Sequence, residues 1–474
     1  MFRRLLFLIL LLAGVVRAAA ESCEIVDSPG IPAYDDENAI PPGLHPFPPV
    51  ACCDPQPAPG PIDAESVPSP FAGTLCDRPS FTGNWWGARD ALIDAGMGFD
   101  ISSTQFYQGV TSGGIDQTFA YGGRNDYLFK MEGEKAGLWK GFYINLHGES
   151  RYGNDINDES GSILAPPNIA MLFPLPTGTH TALTGVKATQ FLSETVVIYA
   201  GKLNMLDELV QTYGAGRGVD AFMNTGLVFP IILDRTVPYS TLGAGLSIMS
   251  GTRAAFTLMV YDTHNTPTTS GFESFVTNGA TLLSKLELPV SPFGLPGHQG
   301  IEGTFSTGTF TSLRTIPYID VNGLPSTTFG TVNHSWSVFY CADQALYVDP
   351  NNAKRSWGVF TNIGLADDDP SPIRRSACFG IGGSSPLVSR PLDTFGIGYS
   401  FVAPSGPFQN LDPQFSPLRS DHAVELYYNV AVTPWFRLTP DLQVLVPTQE
   451  RTSPPAFQPI DAAVIFGLRA KIDF

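Results

Sequence analysis

The sequence predicts an all-β fold: a transmembrane antiparallel β-barrel of about sixteen strands, with a short N-terminal helix. Three observations lead there. The stretch Ala462 to Phe474 alternates strictly. Val464, Phe466, Leu468, Ala470, Ile472 and Phe474 form one apolar set, and Ala463, Ile465, Gly467, Arg469, Lys471 and Asp473 form a second set that turns charged along its last half. Successive side chains of a strand point to opposite faces, so one face of this strand suits hydrocarbon and the other suits water. Composition agrees. Only 15% of residues are charged, while 11% are aromatic and 48 are Gly, a balance unlike that of a soluble acidic enzyme. The same period of two also recurs from Gly98 to the chain end.

Before the barrel come two segments of other kinds. Residues 1–20 read as an export signal: Arg3 and Arg4 form a basic start, Leu5 to Val16 a 12-residue apolar run, and Ala18 and Ala20 an A-x-A cleavage pattern. That run is too short to cross a bilayer as a helix. Residues 21–80 contain 14 prolines. Such composition favours extended conformers over a packed core, so an irregular periplasmic segment is expected. Cys23, Cys52, Cys53 and Cys76 lie in it, and Cys341 and Cys378 lie beyond it. An oxidising compartment permits disulfides. A metal site at Cys52-Cys53 lacks supporting His spacing.

Residues 81–474 are expected to form the barrel unit, with a short helix over 81–96 and strands over 97–474. Asn84 is the expected N-cap and Gly96 the stop, and Trp85, Ala88, Leu92 and Ala95 recur at helical spacing. The pair Trp85-Trp86 has two readings, a sugar-stacking platform and an interfacial anchor, and the anchor is favoured. Strands are expected from Phe99 to Tyr107, Asp126 to Glu132, Phe142 to Arg151, Thr252 to Tyr261, Ser356 to Leu365, Thr394 to Val402, His422 to Val432, Trp435 to Val446 and Ala462 to Phe474. Weaker alternation adds segments near 190–202, 226–236, 241–250, 280–290, 298–308, 334–347 and 375–383. Thr433-Pro434 is an expected tight turn. Long loops are expected over Arg151–Thr189, Asn204–Asn224, Pro267–Asn278 and Leu313–Asn333, some folding inward. A barrel of this strand number encloses water unless loops fill it.

The chemistry of the chain is that of a wall, not of a catalyst. No G-x-S-x-G, H-E-x-x-H or Walker loop occurs, so no enzyme is expected. The formal charge of −17 makes nucleic acid a poor partner. Gly214, Gly216 and Gly218, and the acidic runs at Asp155–Glu159 and Asp367–Asp369, read as loops ahead of phosphate or calcium sites. The informative residues are polar ones on the inward faces of strands. Lys130, Glu132, Glu149, Arg151, Arg253, Glu425, Arg437, Arg469 and Lys471 carry both signs of charge, and His147 joins them as a polar wall residue. Such a lining exchanges hydrogen bonds with hydroxyl groups, which both donate and accept. Tyr143 and Tyr427 are suited to the apolar face of a sugar ring. Generic hydration of the wall is the bland alternative for each of these residues. No metal or organic cofactor is expected.

Several stretches resemble the OprB-type carbohydrate-selective porins. The first is FTGNWWGARDALIDAGMGFDISSTQFYQGVTSGG from Phe81, with Gly83, Trp86, Gly87, Arg89, Leu92 and Gly96 on the family's entry pattern, the Trp-Gly pair shifted by one residue. GKLNMLDE from Gly201, GVFTNIGLADDDPSPI from Gly358, ELYYNVAVTPWFRLTPDLQVLVP from Glu425 and the terminal GLRAKIDF are similar too. The resemblance implies a channel of about sixteen strands with inward-folded loops, passing small sugars across a bacterial outer membrane. It does not reach Glu21 to Ser80. The implied partners are small sugars, outer-membrane lipid and an assembly machinery that reads Phe474, and a homo-oligomer is admitted. Two other functions stand beside it: a channel for other small solutes or ions, and a secreted β-rich carbohydrate-binding protein.

Overall fold

The computed structural model describes residues 73–208, 211–214, 216–251, 253–319, 325–411, 417–452 and 455–474. The expected leader, most of the proline-rich segment, and Cys23, Cys52 and Cys53 lie outside the described residues. Cys76 is disulfide-bonded. Cys341 and Cys378 are free thiols.

Among the described residues, eighteen strands follow one another. They are β1 (Met97–Ser112), β2 (Phe119–Glu132), β3 (Phe142–Gly153), β4 (His180–Phe191), β5 (Val196–Asn204) and β6 (Ser240–Ser250). Next come β7 (Arg253–Asp262), β8 (Ala280–Val290), β9 (Gly297–Ser306), β10 (Phe310–Ile319), β11 (Pro325–Val332) and β12 (Ser335–Asp349). The last six are β13 (Asn352–Ala366), β14 (Ile373–Ser384), β15 (Thr394–Pro404), β16 (Asp421–Thr433), β17 (Phe436–Val446) and β18 (Ala463–Asp473). All but β10 and β11 close into one antiparallel barrel, so the barrel has the sixteen strands expected. β10 and β11 pair only with each other, as a hairpin built into the loop expected over Leu313–Asn333.

Closure is made by β1 and β18, in a register from Ser102 opposite Asp473 to Ser112 opposite Val464. It leaves no sheet edge, which hydrocarbon could not satisfy. The chain before β1 braces this seam. The Phe81 N–H donates to the Asp473 carbonyl at 2.8 Å, the Phe474 N–H donates to Ile101 at 2.8 Å, and Arg89 Nη2 donates to the Phe474 oxygen at 2.6 Å. The Phe81 ring meets Phe474 edge-on at 5.8 Å and Trp435 at 4.8 Å. The helix spans Ala88–Asp94, with Trp85–Gly87 in a 3-10 turn ahead of it. Asn84 accepts the Gly87 and Arg89 N–H groups through its backbone carbonyl, and its side chain makes no cap. Trp86 is 71% exposed.

Two expected elements change type. The segment near 226–236 is not a strand. It runs as a helical turn, Thr225–Val228, then a 3-10 turn, Ile231–Leu233, both buried inside the barrel. Its sequence, GLVFPIILDRT, is apolar on consecutive residues, and Pro230 has no N–H to give a ladder. The missing strand is β4, which lies largely within the loop expected over Arg151–Thr189. Its alternation is blurred, because the register against β3 shifts between His147 and Gly148. A one-residue insertion moves later side chains to the other face.

Outward positions carry the apolar set throughout. Ile397, Leu426 and Val444 stand 42–47% exposed on adjacent strands, with Leu426 opposite both Ile397 and Leu442. A lipid-facing residue near mid-strand tolerates charge poorly. Leu426→Lys should lower unfolding stability in lipid vesicles by about 2–4 kcal/mol. Urea titration of the folded barrel checks this, and an unchanged midpoint would remove Leu426 from the lipid face.

Candidate functional site

Both chain ends of the barrel unit lie at one end, here the terminal end, where connections such as Pro434-Trp435 are short. Long connections crowd the opposite, loop end, over 154–179, 205–239, 263–279, 307–334, 405–420 and 447–462. Two of these, 154–179 and 205–239, fold into the lumen. The reason is in their side chains: Met171, Leu206, Phe222, Met223, Leu227 and Ile232 are apolar and would be stranded in solvent. They pack instead on inward residues of the wall, such as Tyr261, Leu283 and Phe339 on one side and Phe360 and Tyr427 on the other.

The wall makes room for them with glycine. A Cβ at Gly398 would come within 2.7 Å of Leu227 Cδ2, and one at Gly396 within 2.7 Å of Phe222 Cζ. Phe222 therefore reaches the wall, edge-on to Tyr427 at 4.9 Å. Tyr427 is spent on this contact.

Polar groups of the wall fasten the inward chain in three places. At β16–β18, Glu425 accepts the Met223 N–H at 2.6 Å and the Asn224 N–H at 2.8 Å. Arg469 donates to the carbonyls of Gly218 at 3.0 Å and Ala221 at 2.7 Å and to Asn429 at 2.9 Å. Lys471 pairs with Asp220, and Arg437 pairs with Asp473 at 2.9 Å. Burial opposes the Asp220 charge, but Lys471 and Arg437 outweigh it and hold its carboxyl below the usual range.

At β2–β3 a denser cluster forms. Arg124 pairs with Asp126 at 2.6 Å and with Glu149. His147 Nδ1 meets Asp207 at 2.6 Å, and Nε2 faces Asp126 at 3.1 Å and Glu149 at 3.3 Å. Arg217 pairs with Asp207 at 3.0 Å. Tyr239 donates its hydroxyl to Glu149, and its ring stacks on Phe173 at 3.7 Å, which joins the two inward loops. Three carboxylates, Asp126, Glu149 and Asp207, thus face two guanidiniums and an imidazole. For Asp207, burial is outweighed by His147 and Arg217, which keep its carboxyl below the usual range. Beside this cluster, Arg151 reaches Gly178 O at 2.8 Å and pairs with Asp155, so the acidic loop run is partly spent on a wall cation.

The third place is the wall of β7, β8, β9 and β12. Arg253 bridges Glu287 at 3.1 Å and Asp343 at 3.4 Å, Lys285 pairs with Glu287 at 2.8 Å, and His298 pairs with Asp343 at 2.8 Å. A cavity of about 30 Å³ lies between this wall and Gln211, Val228 and Pro230.

All eleven residues singled out from sequence sit on strands and on the inward faces of the barrel. They divide into two groups. His147, Glu149, Arg151, Glu425 and Arg469 are buried to 2% exposure or less beneath the inward loops, and Lys471 is 9% exposed. Lys130, Glu132, Tyr143, Arg253 and Arg437 remain partly exposed. Lys130 pairs with Asp100 at 3.2 Å, and Tyr143 meets Phe191 edge-on at 5.6 Å, both near the terminal end. Sequence reasoning missed Arg124, Asp126, Asp207, Arg217, Lys285 and Glu302. The pair Arg124 and Asp126 was legible: it continues the same i, i+2 face as Lys130 and Glu132, since β2 begins at Phe119 and not at Asp126. Arg217 stands in the Gly-rich run, with φ of 52°.

Residues 116–474 match the family model of the carbohydrate-selective porin, OprB family. The chain belongs to that family. This OprB-family chain is also 24% identical over 212 residues to Porin B of Pseudomonas aeruginosa; the match covers 40% of this chain and 45% of that protein, so it spans less than half of the curated relative. Two solved structures share the fold. The high-pH structure of Pseudomonas putida OprB superposes with a TM-score of 0.69 at 19% identity, covering 85% of this chain and all of that one. The low-pH structure of the same protein gives 0.52 at 17% identity, covering 84% and 99%. That family and that fold are those of channel proteins.

The fastening contacts of this OprB-family porin have a functional consequence. Arg469→Ala removes the two charge-assisted hydrogen bonds that Arg469 donates to the inward loop, at Gly218 and Ala221, each worth roughly 1.5–3 kcal/mol. Gly398→Val obstructs the same loop at Leu227. Both variants should keep the barrel but raise single-channel conductance in planar bilayers, by about twofold or more as the lumen widens. Unchanged conductance in both would mean that the loop does not limit the pore.

Proposed function

We propose that this chain is a porin of the bacterial outer membrane through which small sugars diffuse passively. One observation carries the reading: a closed sixteen-strand barrel of this family encloses a polar lining of both charge signs. Neutral polyols exchange hydrogen bonds with such a lining, while a lumen of one sign would select ions. The terminal end then faces the periplasm and the loop end the exterior, the usual asymmetry of bacterial barrels. Lys130, Glu132, Tyr143, Arg253 and Arg437 are the lining residues that meet solute. His147, Glu149, Arg151, Glu425, Arg469 and Lys471 act on selectivity by holding the inward loops in place. Outer-membrane lipid is the partner of the apolar outer face, and Phe474 is the residue the barrel-assembly machinery reads.

Detergent-purified protein in liposomes should admit mono- and disaccharides in a swelling assay. A folded barrel that conducts ions but admits no sugar overturns the sugar assignment, and reversal potentials then identify the ion class. Removing Phe474 should cut the amount of inserted barrel several-fold, while channels that do insert keep their conductance. Normal insertion by quantitative immunoblot of outer membranes counts against the role given to Phe474.

A further inference from the structure

A buried carboxylate normally has a donor, because an unpaired one is costly to bury. Glu302 on β9 does not follow the rule. It is 1% exposed, and its Oε1 meets no hydrogen-bond donor among the described residues. Lys285 sits opposite Glu302 in the β8–β9 register, yet it pairs with Glu287. Arg253 is likewise taken by Glu287 and Asp343. Glu302 lines the narrow cavity between the wall and the inward segment, together with Lys285, Glu287, Cys341, Asp343 and Gln211. On the adjoining strands, the hydroxyls of Tyr261 and Thr281 are also buried without partners.

We infer that this cavity is a hydroxyl-binding station on the solute path, in which Glu302 accepts a hydrogen bond from a neutral polyol. The inference rests on the sugar-porin reading and adds a location to it. A carboxylate only accepts, so its missing partner is a donor. The carboxylates of Glu287, Glu302 and Asp343 turn away anions, and the neighbouring Arg253 and Lys285 turn away cations. A hydroxyl suits both neighbours, since it donates to Glu302 and leaves its own lone pairs for the cations. The cavity, about 30 Å³, has room for a hydroxyl-sized group and not for a whole sugar ring, so it takes one hydroxyl-bearing edge of a sugar at a time. The path of solute thus runs along β8, β9 and β12, across the lumen from the sealed cluster at Arg124.

Cys341 makes the test direct, because a native free thiol lines the cavity. The full chain, reconstituted and shown to pass glucose, is treated with small and bulky methanethiosulfonate reagents. The small reagent should modify Cys341, and saturating glucose should slow that reaction about fivefold. The bulky adduct should lower glucose flux about fivefold or more, with no such drop in Cys341→Ser. Glu302→Leu should weaken sugar block of the ion current about fivefold. An unreactive Cys341, full flux through the quantitatively modified protein, or unaltered block in Glu302→Leu each overturns the station while glucose passage still stands. Absence of glucose passage in the unmodified, folded protein instead removes the sugar reading on which the station rests.

Discussion

Hydrocarbon offers no hydrogen-bond partner to a peptide group, and the whole molecule follows from that. A sheet in lipid must close, so β18 has to return to β1. An even strand number brings both ends of the unit to the same side, where Phe81, Arg89 and Trp435 hold Phe474 against the seam. The same constraint makes the outer face apolar at every second residue, because a polar group there would have neither water nor a partner. It also draws most charged residues of the barrel strands to the interior.

Closure then creates the second problem, an interior too wide for wall side chains to fill. The chain answers with two inward loops and sorts its lumen by region. Where β13 to β15 carry inward glycines, the loop meets the wall through Phe222 and Leu227 in apolar contact. Where β2, β3 and β16 to β18 carry charge, it is held by ion pairs and by carboxylate-to-backbone bonds. Buried pairs of this kind contribute little net stability, because desolvating two charges costs nearly as much as their attraction returns. Losing one partner strands the other. Such pairs serve to fix one arrangement of the loop over others, and that is the property a selective pore needs.

The legibility of the sequence follows the same division. The barrel could be read because each strand is bound to lipid on one side, and lipid enforces a strict period of two. β18 and β16 show it without interruption. The period failed where the enforcing environment was absent or the register slipped. Residues 226–236 lie inside the barrel and not against lipid, so their apolar run has no period, and length alone made them resemble a strand. β4 carries a bulge that shifts its faces midway. Inward orientation of Glu149, Glu425 or Arg469 was readable for the same reason as the strands. Their burial was not, because it depends on which loop covers which wall, a long-range fact that no local pattern encodes. Asp207, Arg217 and Tyr239 lie on that covering chain, and no spacing marks them as partners of β2 and β3.

The two sides of the lumen differ in what answers their charges. At β16 to β18 the loop backbone supplies donors to Glu425 and acceptors to Arg469, so those residues are complete without solute. At β7 to β12 the charges of the wall answer one another, Arg253 and Lys285 against Glu287 and Asp343, while the inward segment adds apolar packing and side-chain hydroxyls, with Thr212 donating to Asp343 at 2.8 Å and Thr236 lying 2.7 Å from Thr304. Contacts through a few short side chains leave space that contacts through backbone do not. Glu302 stands in that space with an acceptor to spare. A wall that has settled its own charges and retains one unanswered acceptor can bind a neutral hydroxyl and release it again, since no strong ion pair must be broken in either direction. That weak, reversible exchange is the physical requirement for passive diffusion with selectivity.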